Sequence, residues 1–122
     1  MRYAIAAACF MLSSPALATG GFLCTPEKGV GPSISLIIGH GIPGGVIGAA
    51  VKENGRWLST MTPNHRLVLK QSWIDRQHTW VDIIHSKTGL PEAQLRVRNQ
   101  GFGGLGTLVR KGRTWKVRCR QD

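Results

Sequence analysis

Apolar residues in this chain recur at every second position over several stretches, and nowhere do they hold the 3.6-residue period of a helix for long. Residues 104–120 show the alternation best. Lys111-Gly112 is a two-residue turn between Arg110 and Arg113, and such a turn sets the register of the strands it joins. In that register Leu108 faces Trp115 and Gly106 faces Val117, with Cys119 on the same side. Thr107, Val109, Thr114, Lys116, Arg118 and Arg120 fall on the other side. A strand that is apolar on one face and cationic on the other is half-buried.

A second hairpin turns at Asn54-Gly55. It pairs Val51 with Leu58 and Lys52 with Trp57, which places Ile47, Ala49, Val51 and Leu58 on an inner face and Trp57 outside. Between the hairpins, Leu67, Leu69 and Trp73 alternate in one segment, and Leu95 and Val97 in another. Val81 and Ile83 alternate as well, but Trp80 and Ile84 are also apolar, so the strand near residues 79–85 is expected to be covered on both faces. Glycine is abundant, and there is no repeat or linker. These features predict an all-β fold: a small antiparallel meander closed into a barrel or a sandwich.

The N-terminus has a different grammar. Met1-Arg2 carries one positive charge, and Tyr3 to Leu12 is an uncharged, largely apolar run. It is too short for a membrane-spanning helix, which needs about 20 apolar residues. Ser13-Ser14-Pro15 breaks the run, and Ala16-Leu17-Ala18 has the small residues of a signal-peptidase site. Residues 1–18 are therefore expected to be a cleaved signal peptide. Residues 19–122 are expected to form one β domain, periplasmic or secreted, with no transmembrane helix in the mature chain.

Cleavage changes the cysteine count. Of three cysteines, Cys9 leaves with the signal, and Cys24 and Cys119 remain. Two cysteines in an exported chain predict one disulfide, here joining the ends of the domain, at the seam if the sheet closes into a barrel. A Cys nucleophile is the competing reading, disfavoured by an oxidising compartment.

The net charge of +10 falls only to +9 when Arg2 is removed. That excess suits an anionic polymer or an anionic membrane surface. Arg96 and Arg98 project outward beside Leu95 and Val97, as do Lys116, Arg118 and Arg120 from the last strand, with Arg110 and Arg113 at the hairpin tip. The guanidinium fork suits phosphate and carboxylate. These seven residues are the candidate polyanion-binding set, and Trp57 is a candidate stacking platform. The plain alternative is a solvated face on a basic protein.

Other patterns carry little. Gly39 to Gly44 and Gly101 to Gly106 both match G-x-G-x-x-G, but neither precedes a helix within a βαβ unit, so no cofactor is expected. Gly29 to Val51 is free of charge, with Gly41/Gly45 and Gly44/Gly48 in membrane-packing spacing. Its glycines, Pro43 and the hairpin that follows claim it for strands and turns instead. His40, His65, His78 and His85 form no metal-ligand spacing. Asp75 and His78 are placed to touch across a turn, whereas Asp82 and His85 would point to opposite faces of a strand. No nucleophile motif is present, so neither catalytic nor metal residues are expected.

The leading expectation is a binding protein for an anionic envelope or extracellular polymer, such as an acidic glycan or lipopolysaccharide. A periplasmic inhibitor or immunity-type protein with one protein partner is the alternative, and a small hydrolase stands behind both. Expression of the full chain in a secreting host should yield a product that begins at Thr19. Intact mass checks this, and a product that retains Cys9 would refute it.

Overall fold

The structure is a computed structural model that describes residues 20–39, 45–62 and 66–121. Residues 1–18, His40, His65 and most of the first glycine-rich match lie outside the described residues. Among the described residues nine strands follow one another: β1 (Gly20–Pro26), β2 (Ser33–Ile38), β3 (Val46–Glu53), β4 (Arg56–Ser59), β5 (Leu67–Ile74), β6 (His78–His85), β7 (Pro91–Gln100), β8 (Gly103–Arg110) and β9 (Arg113–Gln121). No helix is found among the described residues, so none there could cross a membrane.

All nine strands belong to one antiparallel sheet in the order β4-β3-β2-β1-β9-β8-β7-β6-β5. Two meanders, β1–β4 and β5–β9, are thus joined by a single long-range ladder between β1 and β9. The sheet curls until β3 packs against β5, which makes a nearly closed barrel. Its interior is filled by alternating side chains, among them the fully buried Phe22, Ile34, Leu36, Leu95, Leu108 and Val117.

Both tight turns form as expected. Asn54 and Gly55 have φ of 53° and 78°, and Lys111 and Gly112 have 51° and 76°. Two successive positive φ values give the primed turn that matches the twist of a hairpin. The registers Val51–Leu58, Lys52–Trp57, Leu108–Trp115 and Gly106–Val117 are all present. Gly106 also meets a spatial demand: a Cβ there would lie within 2.0 Å of the Arg96 carbonyl oxygen. The second glycine-rich match is therefore a turn and a strand of close backbone approach.

Cys24 and Cys119 form the disulfide, directly opposite each other in the β1–β9 ladder. This corrects the expected position. The bond ties the chain ends but does not lie at the barrel seam. β1 and β9 occupy the middle of the sheet, and the open seam lies between the edge strands β4 and β5.

Three bulges change which residues face inward. β2 pairs Ile37 with Gly48 and Ile38 with Val46, so Ile47 has no partner. The extra residue turns Ile47 out of the core and Val46 in. Lys70 is skipped between Leu69 and Gln71. The alternation shifts there, so Leu67 stays inside while Trp73 turns out to solvent. Glu92 is skipped between Pro91 and Ala93. The outer face of β6 is not covered as expected, because Trp80 stands there 46% exposed. Leu58 keeps its inward register but lies at the open edge, 40% exposed.

The disulfide closes a loop 95 residues long. Replacing both cysteines by alanine should therefore lower unfolding stability by up to about 4.7 kcal/mol, on the chain-entropy scale for such a loop. Chemical denaturation checks this. A loss of less than about 1 kcal/mol would mean that the β1–β9 ladder holds without its crosslink.

Candidate functional site

The antiparallel registers align outward side chains into rows that cross the strands. One row runs Trp73, Trp80, Arg96, Thr107, Lys116 over β5 to β9. The next runs His78, Arg98, Leu105, Arg118, Thr25 over β6 to β9 and onto β1. A third places Arg120 between Gly103 and Leu23. Lys116, Arg118 and Arg120 succeed one another on β9 at about 7 Å intervals, the two-residue repeat of a strand.

Five of the seven candidate cations therefore share this face. Arg98, Lys116, Arg118 and Arg120 are exposed. Among the described residues, no carboxylate lies within ion-pair distance of Arg98, Lys116 or Arg120, and Arg118 meets Glu27 only at 3.4 Å in solvent. Arg96 is held more closely. Its Nη1 lies 2.9 Å from Asp82 Oδ1 and donates to the Leu95 carbonyl at 2.8 Å, while its guanidinium sits 5.6 Å from the Trp80 ring centroid. Arg113 is exposed at the hairpin end and stacks over Trp115 at 4.8 Å.

Arg110 does not join the face. Expected at a solvent tip, it is only 3% exposed. The turn obeys the same alternation as the strand, so Arg110 follows Leu108 into the barrel. There its Nε donates to Glu53 Oε1 at 2.9 Å, and its Nη1 donates to Glu92 Oε1 at 3.1 Å and to the Glu92 carbonyl at 2.9 Å. The Glu92 bulge brings that carboxylate to the guanidinium. This cluster caps one end of the core and links β8 to β3 and β7.

The Arg110 cluster also lines a cleft of about 420 Å³ at the open seam, bordered by Arg56, Trp57, Leu58, Arg66 and Lys111. Trp57 is 46% exposed and lies beneath Lys52, whose Nζ is 5.7 Å from the ring centroid. It stands on β4, at the opposite edge of the sheet from β5. The structure thus separates the expected stacking residue from the cationic rows and puts two other indoles beside them. Trp73, 56% exposed, faces Trp80 across β5 and β6.

Partial burial alone would raise the pKa of Glu53, but the charge and hydrogen bond of Arg110, joined by Lys111, carry it below the ordinary value. Burial opposes ionisation of Asp82 in the same way and is outweighed by Arg96 and Gln71, then by Lys70. Asp75 is also lowered, first by the hydrogen bond from the Trp73 indole and then by the backbone N–H groups of His78 and Gln77. His78 Nδ1 lies 3.9 Å from Asp75 Oδ1, so the expected pair across the turn is formed. His85 Nδ1 accepts backbone N–H groups of Lys87 and Thr88, which fixes it in the β6–β7 turn. Among the described residues no cluster of three or more His, Cys, Asp or Glu is placed to hold a metal ion. Comparison with protein-family models, curated proteins and solved structures finds no match for this chain.

Carboxyl groups with lowered folded-state pKa values stabilise the fold fully above their ordinary values, and that stability is lost as pH falls through the folded values. For Glu53 the ordinary value is 4.5 and for Asp82 it is 3.8. Unfolding free energy should therefore decline as pH drops below 4.5. Arg110→Met should cost about 3 kcal/mol near neutral pH, because it strands the partly buried Glu92 and leaves Glu53 only the exposed Lys111. It should also flatten the acid decline. Denaturant titrations from neutral to acid pH check both, and an unchanged acid limb in the variant would remove Arg110 from this role.

Proposed function

We propose that this chain is an extracytoplasmic binding protein that holds an anionic polymer against the outer face of β7, β8 and β9. The observation that carries this reading is the distribution of charge. Three of the described carboxylates are spent away from the face, Glu53 and Glu92 on the buried Arg110 and Asp75 on its own turn, while on the face Asp82 meets Arg96 and Glu27 meets Arg118. Arg98, Lys116 and Arg120 are left with solvated charges on neighbouring rows, and Arg118 between them is only loosely paired.

Such a surface recognises repeated negative charge. Each cation displaces a counterion from a polyanion, so affinity depends on how many engage and falls with salt. The spacing along β9 favours an extended chain that passes several cations over one small anion that meets a single one. Among the described residues no carboxylate neutralises Arg98, Lys116 or Arg120, and the barrel beneath holds these rows on strands rather than loops. The signal peptide expected at residues 1–18 and the Cys24–Cys119 disulfide suit a protein that works outside the cytoplasm, where acidic glycans and lipopolysaccharide are the abundant polyanions.

The test is the triple variant Arg98→Glu, Lys116→Glu, Arg120→Glu, titrated with polygalacturonate and with lipopolysaccharide across a range of salt. It should lose at least about tenfold in affinity and show a shallower salt dependence than the parent. Equal affinity and an unaltered salt response would remove the reading.

A further inference from the structure

We propose that Trp73 and Trp80 form a stacking subsite for a pyranose ring, so that the polymer held by this face is an acidic polysaccharide. The inference rests on the anionic-polymer reading and narrows its ligand. The two indoles are the cross-strand pair that begins the row ending in Arg96, Thr107 and Lys116. A chain lying along that row meets aromatic surface first and cationic surface next.

Both rings are held by their surroundings while much of their surface stays in solvent. Trp73 Nε1 donates to Asp75 Oδ2 at 2.8 Å, and the same carboxylate accepts two backbone N–H groups of the β5–β6 turn. Trp80 lies between the His78 ring, 5.6 Å from its centroid, and the Arg96 guanidinium, at the same distance. Side chains already fixed in place lose little entropy when a ligand arrives.

The ground beside the rings is polar. Gln71, Asp82 and Arg96 line a groove of about 260 Å³ with the two indoles. Asp82 is 8% exposed; its Oδ2 accepts from Gln71 Nε2, and its Oδ1 meets Arg96 in a contact that is ionic rather than a well-aligned hydrogen bond. A sugar ring is matched to this arrangement, since its C–H face lies flat on an indole while its hydroxyls both donate and accept at the edges. The groove is smaller than a typical enclosed ligand site, which suits one unit of a chain that continues outside it. A second copy of the protein is a poor occupant. Two such faces would bring Arg98 and Lys116 of one copy towards those of the other, and like charges oppose that contact.

The test compares polygalacturonate, an acidic polymer of rings, with inorganic polyphosphate, an anion without rings. Trp73→Ala and Trp80→Ala should each weaken polygalacturonate binding about tenfold, near 1.4 kcal/mol, and leave polyphosphate affinity within about twofold. Trp80→Phe should recover most of the loss. Circular dichroism and a cooperative unfolding transition show that the alanine variants remain folded. Equal loss of both probes overturns the subsite. So does equal weakening of single-stranded DNA and polygalacturonate, which would make it a base-stacking surface. A wild-type dimer in sedimentation that Trp73→Ala dissolves overturns it too, as a self-association face. If alanine changes nothing while the triple charge reversal weakens both probes, the subsite falls and the anionic-polymer reading stands. If wild type binds neither probe, both fall.

Discussion

The whole architecture depends on one ladder. Each meander, β1–β4 and β5–β9, is built from strands that pair with their neighbours in sequence. Only the β1–β9 pairing makes them one sheet, and it brings together residues separated by most of the chain. Loop-closure entropy opposes such a contact. The Cys24–Cys119 bond sits in the middle of that ladder and removes much of the opposing entropy from the unfolded state. The same halves also meet away from the ladder, where Glu53 pairs with Arg110 and Lys111 at one end of the barrel and β3 packs on β5.

The ladder also sets up the candidate site. The cationic rows lie on strands β7 to β9, the last of which is half of the crosslinked pair, where the sheet is continuous on both sides. The indole pair lies at the β5 edge, where the sheet ends and solvent reaches the aromatic faces. Placing rigid charge near the middle of the sheet and aromatic surface at its margin is a consequence of strand order. The charge distribution follows from ion pairing, since the described acidic side chains are drawn to Arg110, to Arg96, to Arg118 and to the Asp75 turn.

Much of this was legible from residues alone. The two hairpin registers followed from two-residue turns whose conformation admits one alignment, and the identity of the disulfide partners followed from counting. The inward set Leu95, Val97, Leu108, Val117 and Cys119 followed from parity. What parity could not supply was the position of the bulges. A single unpaired residue at Lys70 turned Trp73 from the expected core to the surface, and another at Glu92 sent a carboxylate to the buried Arg110. Arg110 looked like a surface cation because its partner Glu53 is 57 residues away and belongs to the other meander. The only signal available was that it continues the inward series Gly106, Leu108. Trp80 was misread as covered because an apolar residue on an outer face looks the same whether a second layer or a ligand is meant to meet it.

The order of strands around the barrel has an implication for how the chain reaches it. Read from β5 through β9 and on through β1 to β4, the sheet is a plain succession of neighbours. The first and last of the described strands lie side by side at that point, so Gln121 and Gly20 belong to one end of the molecule. A circular permutant that joins β9 to β1 and opens between β4 and β5 would turn the slowest pairing into a short hairpin. Its contact order would fall, and folding rate rises as contact order falls. The crosslink would then close a short loop and contribute far less, so the natural order of the chain is what makes the disulfide matter.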